Sequence, residues 1–270
     1  MRTTADCASR AWLDALKTIM VYGLPVCPRG METLELQQNT FTMYMGNPVV
    51  LCPARKLSYT FLAAEALWIL NGDNRVSTIA RYNKNIAKFS DDGETFFGAY
   101  GPRIATQIEY IVDKLVQDKD TRQAVLTIWR ENPPRTRDVP CTVAISFLIR
   151  NEVLNCHVFM RSSDAWLGLP YDCFNFSMLA LQVACAYNKM AGRDSVTKPV
   201  ELGTLYLTAA SMHIYARDFD GVRKCLSENE APIGCHVPVE PLILGEWGVF
   251  IGDLKACRDR LPFDLWRIRP

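Results

Sequence analysis

The residues of this chain best suited to chemistry are one cysteine, one carboxylate and two polar clusters. Cys141, in Pro140-Cys141-Thr142, stands where a polar, proline-containing loop enters an apolar stretch, and loops held by a rigid scaffold often carry reactive groups. A thiolate there needs positive charge nearby to lower its pKa; read alone, the residue equally fits a buried, inert thiol. Arg161-Ser162-Ser163-Asp164 sets a guanidinium fork beside a hydroxyl, a pairing suited to phosphate oxygens, the alternative being a surface ion pair between Arg161 and Asp164. His213-Ile214-Tyr215 can orient a sugar hydroxyl or simply close a core element. Glu65 lies inside LSYTFLAAEALWIL, apolar on nearly all sides. Its carboxyl should be perturbed towards proton-transfer work, or else be held in a buried ion pair.

These residues need elements to position them. Trp12, Leu16, Ile19 and Met20 fall at helical spacing within residues 9–22, and Gly23-Leu24-Pro25 ends that run. Residues 33–45 are rich in β-formers, residues 57–70 predict a buried helix closed by Asn71-Gly72, and residues 103–118 an amphipathic helix. AVLTIW, TVAISFLI and EVLNCHVFM predict three consecutive strands, with Asn132-Pro133-Pro134-Arg135 as an exposed loop. Asp172–Tyr187 returns to helix, LGTLYLT to strand, and MHIYARDFDGVRKCL to helix. Helices and strands mix without regular βαβ alternation or a glycine-rich nucleotide fingerprint, so an α+β fold with one large sheet is expected, as a single domain over residues 1–270. Thirty Lys and Arg against 29 Asp and Glu leave no global field to attract nucleic acid or a membrane surface. The ten cysteines show no CxxC pair and no ligand spacing, which argues against a metal site and for a reducing cytoplasm. No stretch approaches the roughly 20 apolar residues of a membrane span.

Order and spacing change the weight of these features. ALWILNGDNR, TRQAVLTIW, VPC, MRSSDAWLGLPYD and MHIY, in that sequence, resemble the thymidylate synthase family and, within it, the deoxycytidylate hydroxymethylases. The similarity runs from about Arg29 to about Tyr215. It implies that Cys141 adds to C6 of a pyrimidine nucleotide, making C5 nucleophilic towards a one-carbon unit from 5,10-methylenetetrahydrofolate, a covalent catalysis that splits one hard step into easier ones. By the same resemblance Arg29, Arg122, Arg161 and Ser162 bind phosphate, Arg122 reaching in from the other subunit of a sheet-to-sheet homodimer. Gln123 stands where the family has a second arginine. Glu65 works through water on proton transfers, Tyr100 sits near C5, Asp164 belongs to the pyrimidine and folate pocket with Trp68 and Glu65 on the folate side, and His213 with Tyr215 meets the sugar 3′ hydroxyl.

Two departures from the family point to base and product. Uracil-specific synthases have asparagine after Leu-Gly-Leu-Pro-aromatic, where this chain has Asp172. An amide there accepts from uracil N3–H and donates to O4, whereas cytosine presents an acceptor at N3 and a donor at N4. Aspartate can accept from N4–H and share a proton with N3, stabilising the charge that collects there; otherwise Asp172 caps the following helix. Methyl-forming synthases keep a tryptophan that aligns near Ala87, and a small apolar C-terminus where this chain ends Trp266-Arg267-Ile268-Arg269-Pro270; Thr142 replaces their histidine. The expectation is therefore 5-hydroxymethylation of dCMP or CMP, with Glu65 and Asp172 orienting the water. The alternatives are a dCMP C5-methyltransferase, a thymidylate synthase acting on dUMP, a cysteine hydrolase using His157, His213 or His236, and a non-catalytic nucleotide- or RNA-binding module.

Overall fold

The computed structural model describes residues 5–193, 198–228 and the single residue 255. Apolar residues at helical spacing bury Trp12, Leu16 and Ile19 along α1 (Ala8–Tyr22), which Gly23 ends by donating its N–H to Ile19 O. Strands β1 (Leu24–Val26) and β2 (Thr33–Tyr44) follow. The Ser58 side chain accepts from Phe61 N and so starts α2 (Tyr59–Leu70). Gly72, at φ 68°, supplies the left-handed residue beyond its end, and Asp73 N closes back onto Trp68 O.

A short α3 (Val76–Ile79) leads to α4 (Tyr100–Ala105) and α5 (Ile108–Gln117), where one helix was expected. The break has a visible cause: the Gln107 side-chain amide pairs with both N and O of Thr127, completing the backbone bonding of an edge strand. That edge is β3 (Val125–Thr127), followed by β4 (Thr142–Arg150), β5 (Val153–Met160) and the two-residue β6 (Ser163–Asp164). The Asn132–Arg135 loop is exposed as expected. The long α6 (Leu169–Met190) is buried on almost every side.

The expected helix beginning at Met212 is corrected. Met212–Tyr215 instead end β7 (Glu201–Tyr215), because Met212 pairs with Leu36 of β2 on one side and with Ser163 of β6 on the other. Ladder bonds on both edges outweigh the helical pattern. Helix resumes only at α7 (Phe219–Ser227), after a 3-10 turn at Ala216–Asp218.

All seven strands join one mixed sheet in the order β1-β2-β7-β5-β4-β3, with β6 beside β7; β7 runs parallel to β5 and β6, and the other pairs are antiparallel. Period-two alternation sends Ile145, Phe147, Ile149, Leu154, Cys156, Val158, Leu205 and Leu207 into a single core. The opposite face carries Phe159, Val143 and Val125, all exposed, and a His157–Tyr206 ring stack at 4.6 Å. No helix among the described residues is long and apolar enough to cross a membrane. Cys235, His236, Cys257 and the Trp266–Pro270 tail lie outside the described residues.

Candidate active site

The site is assembled where β4, β6 and β7 end near α2, α4 and the first turn of α6. Cys141 precedes β4 directly, and the β4–β5 register skips Val143, passing from Thr142↔Met160 to Ala144↔Phe159. Such a bulge bends a strand and re-aims what it carries. Arg161 fixes the approach to the cysteine: its Nε donates to Pro140 O at 3.0 Å, its Nη2 to Val139 O at 2.9 Å and its Nη1 to Ser162 Oγ at 3.1 Å. Ser162 Oγ in turn lies 3.7 Å from Cys141 Sγ. The alternative ion pair with Asp164 does not form, because Asp164 Oδ1 accepts from Trp166 N and Leu167 N.

Cys141 is half-buried, not sealed in the core. Burial raises its pKa above the usual thiol value, while Arg161 and Ser162 act in the opposite direction without overcoming it. The basic neighbour expected from the sequence is therefore present, and desolvation is the larger effect.

Four expected residues meet at a cavity of about 190 Å³ whose walls include Glu65, Trp68, Tyr100 and Asp172. Tyr100 OH accepts from Thr142 N at 3.2 Å and Thr142 Oγ1 at 3.0 Å, tying the cavity wall to the residue after Cys141. Its pKa is raised by burial and then by the charges of Asp172 and Cys141. Asp172 has no hydrogen-bonding side-chain partner among the described residues, and its pKa stands well above the carboxylate range through burial, with Glu65 and Asp164 adding to the effect. It is not a helix cap: the N-cap of α6 is Gly168 and makes no side-chain bond.

Glu65 is not in an ion pair either. Its Oε2 accepts from Asn175 Nδ2 at 2.7 Å, and burial raises its pKa from 4.5 to about 7 against the lowering effect of that bond. The folded protein thus binds this proton more tightly than the unfolded chain, so stability falls as pH rises from about 4.5 to about 7 and the loss is complete above that range. Glu65→Gln removes the titration. Thermal melts should show the variant close to wild type at pH 4 and more stable at pH 8, by on the order of 2 kcal/mol; equal differences at both pH values would contradict a buried, proton-binding Glu65.

A second group gathers at the end of β7. Arg29 Nη2 donates to Tyr215 OH at 3.3 Å, and the Tyr215 ring meets His213 edge-on at 5.1 Å. Arg29 sits at φ 55°, a left-handed conformation that non-glycine residues rarely adopt and that recurs at ligand sites. Asp164 pairs in register with His213, and its charge is felt at Cys141 and Asp172, so it links the two groups. Arg122 and Gln123 are not brought into this cluster; both are exposed in the turn before edge strand β3. The sequence reading missed Asn175, whose only signal was a polar residue three positions after Asp172, on the same helix face of an otherwise apolar run. It also missed Asp138, another wall residue, which accepts from Gly98 N at 2.6 Å.

Cys141 thus stands at a bulged strand end beside Arg161 and Ser162, and Glu65, Trp68, Tyr100 and Asp172 line one cavity. The chain belongs to the thymidylate synthase family, whose family model matches residues 10–236. Among curated proteins it is similar to the deoxyuridylate hydroxymethyltransferase of Bacillus phage SP01, at 29% identity over 258 residues, an alignment covering 83% of this chain and 64% of that protein. The chain thus spans less than two thirds of that relative's length.

Proposed function

We propose that this protein transfers a one-carbon unit to C5 of a cytosine nucleotide, dCMP foremost, and releases the 5-hydroxymethyl product. The observation that carries the base assignment is the Asp172 carboxyl, which lines the cavity with no hydrogen-bond partner among the described residues and retains its proton above the usual carboxylate range. A protonated carboxyl donates through one oxygen and accepts through the other. Cytosine matches that pair with a basic ring nitrogen at N3 and an amino group at N4. Uracil offers O4 in place of N3 as acceptor, a far weaker base for a shared proton.

In this reading Cys141 Sγ attacks C6, losing its proton, and the electron pair displaced from C5=C6 is stabilised as Asp172 shares its proton with N3. Arg161 and Ser162 hold the emerging thiolate side and the phosphate, Arg29 adds charge to the phosphate, and Tyr215 with His213 faces the sugar. Tyr100 and Thr142 order the space around C5. Methylenetetrahydrofolate supplies the one-carbon unit, as family membership supports. Trp68, Ile69, Ile86 and Phe89 give the cavity an apolar wall against which the ring of such a co-substrate could pack.

Hydroxymethyl rather than methyl as product is supported by three features. The tryptophan of methyl-forming synthases aligns near Ala87, where this chain has none, Glu65 has a pKa of about 7 suited to taking a proton from water, and the similar phage protein is named a hydroxymethyltransferase. That relative is named for deoxyuridylate, so the base preference rests on Asp172. A homodimer joined through the exposed sheet face would set Arg122 and Gln123 of one subunit near the phosphate of the other. A reducing compartment such as the cytoplasm keeps Cys141 as a thiol.

The test offers dCMP, CMP and dUMP in parallel with methylenetetrahydrofolate and reads product masses. A gain of one CH₂O unit on dCMP, with tetrahydrofolate regenerated, is expected. Exclusive use of dUMP refutes the base assignment, and a gain of CH₂ with dihydrofolate formed refutes the product.

A further inference from the structure

We propose that Asn175 and Trp68 seat the water molecule that captures the exocyclic methylene on the nucleotide, with Glu65 receiving its proton. The inference deepens the hydroxymethyl reading above and rests on it. Glu65 and Trp68 are three residues apart on α2 and so share a face, and Asn175 comes to the same cavity from α6. With Glu65 ionised, the form that can take a proton from water, the Asn175 amide has one orientation, because its Nδ2 donates to Glu65 Oε2 and a carboxylate cannot return the bond. Its Oδ1 is consequently an acceptor, and that atom is buried with no partner among the described residues. Trp68 Nε1, which can only donate, is buried and unpartnered in the same way. Asn175 and Trp68 are 6% and 7% exposed, so neither polar atom finds compensation in open solvent, and an unmet buried polar atom of this kind costs about 1–3 kcal/mol.

In the proposed arrangement one water would accept from Trp68 N–H, donate one hydrogen to Asn175 Oδ1 and the other to Glu65, and keep one lone pair free. The cavity, at about 190 Å³, exceeds the ~30 Å³ a single water needs, leaving room for the carbon under attack.

The step balances without any oxidant or reductant. The free lone pair forms the new C–O bond to the methylene carbon, and the C5=CH₂ π pair moves into the ring. One water O–H bond breaks and its proton goes to Glu65. Re-formation of C5=C6 then breaks the C6–S bond and returns Cys141 as thiolate, giving the hydroxymethyl nucleotide. Asn175 and Trp68 are positioning residues in this scheme, since they act on the water and not on the nucleotide.

The experiment adds 2-mercaptoethanol to the complete reaction as a competing nucleophile and measures the ratio of thioether to hydroxymethyl product. Asn175→Leu, similar in shape but without the acceptor, and Trp68→Phe, which removes only the indole and its N–H, should each raise that ratio at least about tenfold. In Asn175→Leu, folate-free loss of deuterium from 5-deutero-dCMP, which needs Cys141 addition and proton exchange at C5 but no one-carbon transfer, should stay within a few-fold of wild type. An unchanged product ratio in both variants overturns the proposal. So does a parallel loss of exchange and product, since these side chains would then serve the fold. Wild-type protein that exchanges deuterium but forms no hydroxymethyl product would instead overturn the functional reading, and this inference with it.

Discussion

Cys141→Ser is expected to lower product formation by on the order of 10⁴-fold or more while leaving dCMP binding within a few-fold of wild type. A serine hydroxyl is almost wholly protonated at neutral pH and is a far weaker nucleophile than sulfur, so the C6 adduct does not form and every later step is lost with it. Binding survives because the arginines, Ser162, His213 and Tyr215 are untouched. Equilibrium dialysis for dCMP, single-turnover product formation and intact-mass detection of the adduct check the two halves separately. The pH profile adds a sign. Burial holds the free thiol above its ordinary value, so alkylation of Cys141 by iodoacetamide should accelerate as pH rises through 8 and 9 without levelling off near neutrality. Full turnover by the serine variant would remove Cys141 from the chemistry, whereas dCMP binding without any turnover in the wild-type protein would favour a non-catalytic nucleotide-binding module.

That expectation was available from Cys141 and its surrounding motifs, but the reason the thiol behaves as it does was not. The sequence showed a basic neighbour at Arg161, and the fold adds that its guanidinium is partly committed to Pro140 and Val139 carbonyls while burial raises the thiol. Elements with a clear pattern were legible: α1 through its apolar spacing, α2 through a continuous apolar run, and β4 and β5 through alternation. Met212–Tyr215 was not, because the same letters fit a helix until β2 and β6 are known to bond them on both sides. The break at Gln107 was hidden likewise, since it depends on an edge strand 20 residues away in sequence. Glu65 stood out as a carboxylate in an apolar helix, whereas Cys141 and Asp172 became candidates through the family motifs around them. Asn175 escaped because an amide on a buried helix is informative only once its two ends have been followed, one to Glu65 and one to no partner.

Asp172→Asn is expected to invert the base preference. The protonated carboxyl and an amide are nearly the same size, and among the described residues the Asp172 side chain has no hydrogen bond that the change would break. The exchange should therefore leave the fold intact, and should raise stability at alkaline pH, where ionising a buried acid that is already above its ordinary range becomes costly. Catalysis is affected differently. When Cys141 adds to cytosine, charge collects on N3, and an acid can follow that charge by giving up its proton, whereas an amide N–H cannot. An amide instead suits uracil, accepting from N3–H and donating to O4, where the charge of the uracil adduct gathers. Hydrogen-bond count alone does not separate the bases at this position, since an acid or a turned amide can pair with either edge; the discrimination lies in whether a proton can move to N3 as its charge develops. The kcat/KM for dCMP should drop about 10³-fold and that for dUMP should rise, reversing their order, as parallel assays of wild type and variant will read. If the ratio of the two constants is the same in both proteins, residue 172 does not face the N3–C4 edge of the base, and the cytosine assignment falls with it.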